Sequence, residues 1–346
     1  MNKLVKPPKL GRGDKVATVS LSWGGAGDSG ILWRYFMGVK RLNEAFGLDV
    51  VEMSNTLKGS KYLYSHPEQR AADLMQAFED TSIKAIFSCI GGNESVRLLP
   101  FIDFDVIRKN PKIFIGYSDT TVAHMICLKA GLSSFYGPSI LAEFAENVEL
   151  HDYTKRSVEK TLFSTGSIGE LKASPIWTSE RLPWEEKNKD TKRKLQPNSG
   201  YELLQGSGIV SGRLIGGCIE VLEMIKCTDI WPDAGTWDNT ILFFETSEEK
   251  PNPQYVEYWL RNYGSQGILN RISGMIFGKP YDNLYYEEYK SAILRVVRDE
   301  LKLNDLPILY NMNFGHTAPM AVLPYGATAQ IDCSKKTFTI MESGVV

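Results

Sequence analysis

Phe114-Ile115-Gly116-Tyr117-Ser118-Asp119-Thr120-Thr121 decides how this chain is read: an apolar strand ends in a glycine, a single turn carries a serine, and a helix begins. A serine on such a turn projects from the carboxyl end of a sheet. The free N–H groups of the helix start offer positive potential to an oxyanion. The shape is that of a nucleophile elbow, although Thr120 stands where the second glycine of G-x-S-x-G would be. The competing reading is a helix N-cap serine, which satisfies N–H groups two or three residues further on.

Outward from this turn, short β-branched runs alternate with helical patterns. Strands are expected at 15–21, 49–53, 84–90 and 112–115, with helices at 31–46, 67–78, 95–99 and 120–130. Pro67 suits a first helical turn, where its missing N–H costs nothing. A second alternating region predicts strands at 209–214, 240–245, 274–277 and 308–310, helices at 218–225, 254–263 and 286–301, and a closing hairpin of 328–331 with 337–341. This is the pattern of an α/β protein with mostly parallel sheets. Between the regions the composition turns polar, with Pro175, Pro183, Pro197 and the run Glu185-Glu186-Lys187-Asn188-Lys189-Asp190. The expected division is a nucleophile domain over 1–165, a linker or lid over 166–208, and a second α/β domain over 209–346. A lid with a role at the site and a plain solvated connection both fit that middle segment.

The 346 residues, 43% of them hydrophobic, are enough for about two compact domains. A net charge of -2, from 39 basic and 41 acidic residues, gives no footprint for nucleic acid. The basic N-terminus lacks an apolar run behind its charges, and no stretch approaches the roughly 20 apolar residues of a spanning helix. A cytoplasmic protein without a membrane partner is expected. Cys89, Cys127, Cys218, Cys227 and Cys333 form no C-x-x-C pair, and the four histidines are scattered, so no metal is assigned.

A serine hydroxyl needs a base within hydrogen-bond reach and a third group to orient that base. His316 is the best candidate base. It lies in Asn313-Phe314-Gly315-His316-Thr317-Ala318-Pro319, a loop directly after a strand; a surface histidine is the alternative. Glu245 ends the apolar strand Leu242-Phe243-Phe244-Glu245, where a carboxylate requires a partner. A structural ion pair or a helix cap would also supply one. Gly91-Gly92, just after a strand, lets a backbone N–H approach a reacting carbonyl and act beside that of Asp119. Cys89 as the thiol of an amidotransferase-like hydrolase, and a two-domain module that binds a small ligand without chemistry, are readings of other classes.

Taken together, Ile90-Gly91-Gly92-Asn93, Gly116-Tyr117-Ser118-Asp119, Gly212-Arg213-Leu214-Ile215-Gly216-Gly217, Phe244-Glu245-Thr246-Ser247-Glu248 and Phe314-Gly315-His316 resemble the LD-carboxypeptidase family of serine peptidases. Within it they resemble the branch of microcin C self-immunity carboxypeptidases. The resemblance implies a flavodoxin-like N-terminal domain, a C-terminal swivelling-type α/β domain, and a triad of Ser118, Glu245 and His316. It also implies an oxyanion hole at Gly92 and Asp119, a homodimer, and no cofactor. The immunity branch cuts an amide between an aminoacyl or peptidyl group and a nucleotide-like moiety, whereas the murein branch removes a terminal D-residue from a muropeptide. Trp177 and Trp184, in the middle segment, offer stacking faces for a base and favour the first; closure of the domain interface is their other use. Cys218 stands where the immunity branch would have an asparagine, so a polar contact to substrate is expected to be missing there.

Overall fold

The structure is a computed structural model and describes residues 3–346. Five parallel strands, β1 (Lys15–Val19), β2 (Asp49–Glu52), β3 (Ile83–Ser88), β4 (Ile113–Gly116) and β5 (Phe135–Tyr136), lie in the order β2-β1-β3-β4-β5. That is the flavodoxin-like order. β1, β3 and β4 are almost wholly buried, as expected where helices cover both faces of a parallel sheet. The helix Leu32–Phe46 ends at Gly47, whose φ of 70° is the left-handed conformation that closes a helix without a Cβ clash. Strand order reverses between β1 and β3. There the chain leaves in opposite directions and opens a crevice at the strands' carboxyl ends.

The second sheet contains β6 (Gly169–Glu170), β9 (Glu202–Gln205), β10 (Ile209–Cys218), β11 (Thr240–Glu245), β12 (Gly274–Gly278), β13 (Ile308–Met312), β15 (Thr328–Asp332) and β16 (Thr337–Ile340). Their order is β6-β16-β15-β10-β11-β12-β13-β9, and β10 to β13 are parallel. The short strands β7 (Ile176–Trp177) and β8 (Gln196–Pro197) pair with each other.

The expected boundaries need correction. Residues 166–208 do not simply connect two domains, because β6 and β9 come from this segment and cover opposite edges of the second sheet. Exposed sheet edges carry unpaired backbone groups, and a polar strand can cover them. Composition alone could not separate such strands from a loop. The 209–346 region likewise does not stay apart: β14 (Leu323–Pro324) returns to pair with β5 of the first sheet, and Val346 exchanges backbone hydrogen bonds with Pro7 and Lys9. Near its carboxyl end, the expected helix 286–301 widens after Leu294 into a π-helical turn, Arg295–Glu300.

β10 runs four residues past its expected end at Leu214, carrying Gly216 and Gly217 between the two sheets. A Cβ on Gly216 would lie 1.8 Å from the carbonyl oxygen of Phe243, and one on Gly217 would lie 2.5 Å from Thr121. Backbone cannot retreat from such a contact as a flexible side chain can. Gly216→Ala should therefore destabilise by at least the upper end of the roughly 1–3 kcal/mol typical of overpacking, read as a lowered denaturation midpoint.

Candidate active site

β4 delivers the elbow. Tyr117 is extended, and Ser118 turns to a φ of 64°, a left-handed conformation unusual for a residue with a side chain. The helix Thr121–Ala130 follows after one tight turn. The loop after β3 packs directly against this turn: a Cβ on Gly91 would sit 2.7 Å from that of Ser118 and 3.2 Å from the Asp119 nitrogen. Gly92 has a φ of 146°, and a Cβ there would lie 2.3 Å from Ser22 Oγ. The Asp119 carboxylate ties the two loops together, since its Oδ2 accepts from Glu94 N at 2.9 Å, Ser95 N at 2.8 Å and Ser95 Oγ at 2.7 Å.

The second sheet supplies the other groups. His316 Nε2 is 3.0 Å from Ser118 Oγ, and His316 Nδ1 is 2.6 Å from Glu245 Oε2. Glu245 ends β11 and is 1% exposed. Gly315 makes room for it: at a φ of 90°, its Cβ would fall 2.6 Å from Glu245 Oε2. The Tyr136 hydroxyl, at the end of β5, donates to Glu245 Oε1 at 2.5 Å and accepts from Ser118 N at 3.1 Å. One phenol thus links the elbow to the carboxylate across the two sheets.

Glu248, three residues beyond Glu245, places Oε2 3.0 Å from His316 Nε2. Burial disfavours the imidazolium, but Glu245 and Glu248 outweigh it and raise the His316 pKa well above its ordinary value. The hydrogen bond to His316 holds Glu248 down at about 2.

These groups open into a cavity of about 640 Å³. One wall carries Trp23 and Trp184, with ring centroids 6.2 Å apart and planes inclined by 30°. The Arg34 guanidinium lies 4.7 Å from the Trp184 ring centroid and donates to Leu141 O and Asn147 Oδ1. Burial lowers the Arg34 pKa to about 10, so it remains charged at neutral pH. Cys218 also lines the cavity, its Sγ donating to Glu220 Oε2 at 3.2 Å. Burial raises that thiol well above its usual range.

Of the residues singled out from sequence, Ser118, His316, Gly92, Cys218 and Trp184 line this cavity, with Glu245 behind His316 and Asp119 next to Ser118. Trp177 does not. It is 2% exposed and lies under the Lys279 ammonium, 4.2 Å from its ring centroid, so its face is unavailable to a base. Its place in β7, packed inward, explains the difference. Cys89 is fully buried, away from the cavity lining, with its thiol raised to about 12 by burial; that suits a packed side chain rather than a nucleophile. Four groups were given no role by the sequence reading: Trp23, Arg34, Tyr136 and Glu248. Trp23 follows β1 at the point where strand order reverses, a position marked by Ser22-Trp23-Gly24-Gly25. Tyr136 precedes Gly137-Pro138, in a strand of only two residues that carried too little pattern to detect. Glu248 stood within the run Phe244-Glu245-Thr246-Ser247-Glu248, but nothing there marked it as a partner of His316.

The fold and the site define a two-sheet α/β protein equipped for peptide or amide hydrolysis. Profiles of the LD-carboxypeptidase N-terminal domain and the LD-carboxypeptidase C-terminal domain match residues 16–137 and 211–331. The chain belongs to the LD-carboxypeptidase family, and its reaction class is hydrolysis by a carboxypeptidase of that family. It is 33% identical to the microcin C7 self-immunity protein MccF of Escherichia coli over 311 residues, 89% of this chain and 88% of that protein. A solved structure of MccF in complex with aspartyl sulfamoyl adenosine superposes with a TM-score of 0.84 at 30% identity, covering 99% of this chain and 100% of the other. An MccF-like protein from Streptococcus pneumoniae in complex with AMP gives a TM-score of 0.88 at 35% identity, covering 95% and 99%. A Bacillus subtilis protein described as "Probable murein peptide carboxypeptidase" is 28% identical over 305 residues, 87% of this chain and 85% of that one. No described helix is long and apolar enough to cross a membrane.

Proposed function

We propose that this chain is a serine carboxypeptidase that hydrolyses the amide between an aminoacyl or peptidyl group and a nucleotide-like moiety. The observation that carries the reading is the Ser118–His316–Glu245 relay opening into a cavity that is also lined by the Trp23–Trp184 pair and Arg34. His316 Nε2 takes the hydroxyl proton as Ser118 Oγ attacks the carbonyl carbon. The oxyanion rests on the N–H groups of Gly92 and Asp119. His316 then returns the proton to the leaving nitrogen, and a water, deprotonated by the same imidazole, releases the acyl group from Ser118. Glu245 keeps Nδ1 protonated and the ring aligned, with Tyr136 fixing the carboxylate.

The aromatic wall suits a base and Arg34 suits an adjoining anionic linkage. Complexes of related proteins with AMP and with aspartyl sulfamoyl adenosine support this assignment. Base stacking is worth about 1–3 kcal/mol when the aromatic ring is removed. Trp184→Ala should therefore raise KM for a nucleotide-linked substrate about 10- to 100-fold, with a smaller change in kcat, as measured by steady-state kinetics. The murein relative motivates the other substrate class. Hydrolysis of an aspartyl sulfamoyl adenosine amide analogue and of an L,D-tetrapeptide from murein, compared by mass spectrometry, distinguishes them. Cleavage of the nucleotide amide alone supports the proposal. Cleavage of the tetrapeptide alone reassigns the enzyme to cell-wall peptides. Cleavage of neither overturns both and favours a ligand-binding module.

A further inference from the structure

Both ring nitrogens of His316 face carboxylates, Glu245 at Nδ1 and Glu248 at Nε2. A bare nitrogen lone pair 3.0 Å from a carboxylate oxygen would be repelled by it, so this geometry belongs to an imidazolium with a proton on each nitrogen. An imidazolium cannot accept the Ser118 proton. The groups facing the ring are Glu245 from β11, Glu248 from the loop after it, and Tyr117 and Ser118 from the elbow; Arg181 acts on Glu248 at longer range. His316 is the only ion-pair partner of Glu248 among the described residues, and the Glu248 side chain is 41% exposed to the cavity mouth. It has room to turn away, and the ammonium of a substrate would replace the imidazolium as its counter-charge. Glu220 and Glu249 line the same cavity and add to its negative charge beside Glu248, while Arg181, also in the lining, acts on Glu248 without forming an ion pair with it.

We infer that Glu248 is a positioning and specificity residue: it holds His316 in its resting, protonated state and releases it to a cationic group on the acyl side of the substrate. The substrate class so defined is an acyl residue with a free ammonium next to the scissile carbonyl. In an aminoacyl substrate the α-nitrogen lies roughly 2.5 Å from the carbonyl carbon by bond geometry. A carbon under attack by Ser118 Oγ thus brings that ammonium into the neighbourhood of Glu248. When the carboxylate moves to the ammonium, His316 keeps one counter-charge instead of two. Its Nε2 proton leaves to solvent, and the freed lone pair accepts the hydrogen bond of Ser118. The substrate half of this inference rests on the aminoacyl-nucleotide reading; the link between Glu248 and His316 does not.

Two readouts test it on the full-length protein. The first is the pH dependence of Ser118 labelling by a fluorophosphonate, which needs no substrate. Glu248→Gln should move the acid limb down by at least one pH unit, giving about tenfold faster labelling on that limb, while Glu248→Asp, which keeps the charge, should lie closer to the parent. The second is kcat/KM for aminoacyl sulfamoyl adenosine with a free α-amino group against its N-acetyl derivative. The parent should favour the free amine at least tenfold, and Glu248→Gln should bring the ratio toward one. An unmoved labelling profile in both variants overturns the inference even if the amide is cleaved, and so does a ratio that survives Glu248→Gln. A shifted profile with neither amide cleaved would sink the nucleotide reading and leave the Glu248–His316 link standing.

Discussion

The Ser118→Ala protein should fold as the parent does and lose turnover on the order of 10⁶-fold. Removing the nucleophile of a serine hydrolase costs about that much, and the rate that remains comes from oxyanion binding and substrate positioning alone. Ser118 is half-buried, and its hydroxyl is held only by the Nε2 contact at 3.0 Å, whereas its backbone N–H, which survives the change, keeps its bond to Tyr136. The stability cost should therefore be small. Circular dichroism and thermal unfolding read the fold, single-turnover kinetics read the chemistry, and loss of fluorophosphonate labelling at the same time identifies the residue. A Ser118→Ala enzyme retaining even a hundredth of parental turnover would remove the serine mechanism.

The second large effect is expected at Glu245. Glu245→Gln keeps the volume but replaces an acceptor with an amide that can present N–H groups to Nδ1, favouring the tautomer with its proton on the wrong nitrogen. In serine proteases the equivalent carboxylate-to-amide change lowers kcat by about 10⁴-fold. Here the damage reaches further, because Glu245 Oε1 also accepts from the buried Tyr136 hydroxyl, which in turn bonds the elbow nitrogen. Kinetics at several pH values, with thermal unfolding in parallel, check this. A fall in kcat with KM and the denaturation midpoint nearly unchanged fits the orienting role, whereas a loss confined to stability would make Glu245 only a structural partner.

Much of this arrangement was legible in the chain. Strands that feed glycine turns, as at Gly91-Gly92 and Gly116, announce themselves because few other residues tolerate such close approach. A carboxylate ending the apolar run Leu242-Phe243-Phe244 signals a partner for the same electrostatic reason. What stayed hidden depends on tertiary pairing. Trp177 and Trp184 share a polar segment and read alike, yet one is packed beneath Lys279 and the other faces the cavity. Nothing local distinguishes them. Tyr136 and β14 belong to two-residue strands whose positions are set by neighbours far away in sequence, and periodicity needs a longer run than that. Glu248 contacts His316 only because β11 and the loop after β13 end side by side.

The return of β14 to the first sheet has a consequence for anyone recombining this chain with a relative. A single crossover anywhere between β5 and β10 would leave the first sheet edged by a strand of foreign origin, and Tyr136 would sit beside a neighbour it did not evolve with. Shuffled halves should therefore work only when residues 323–324 and the C-terminal residues that bond Pro7 and Lys9 travel with the front half, so that the natural unit of exchange is discontinuous.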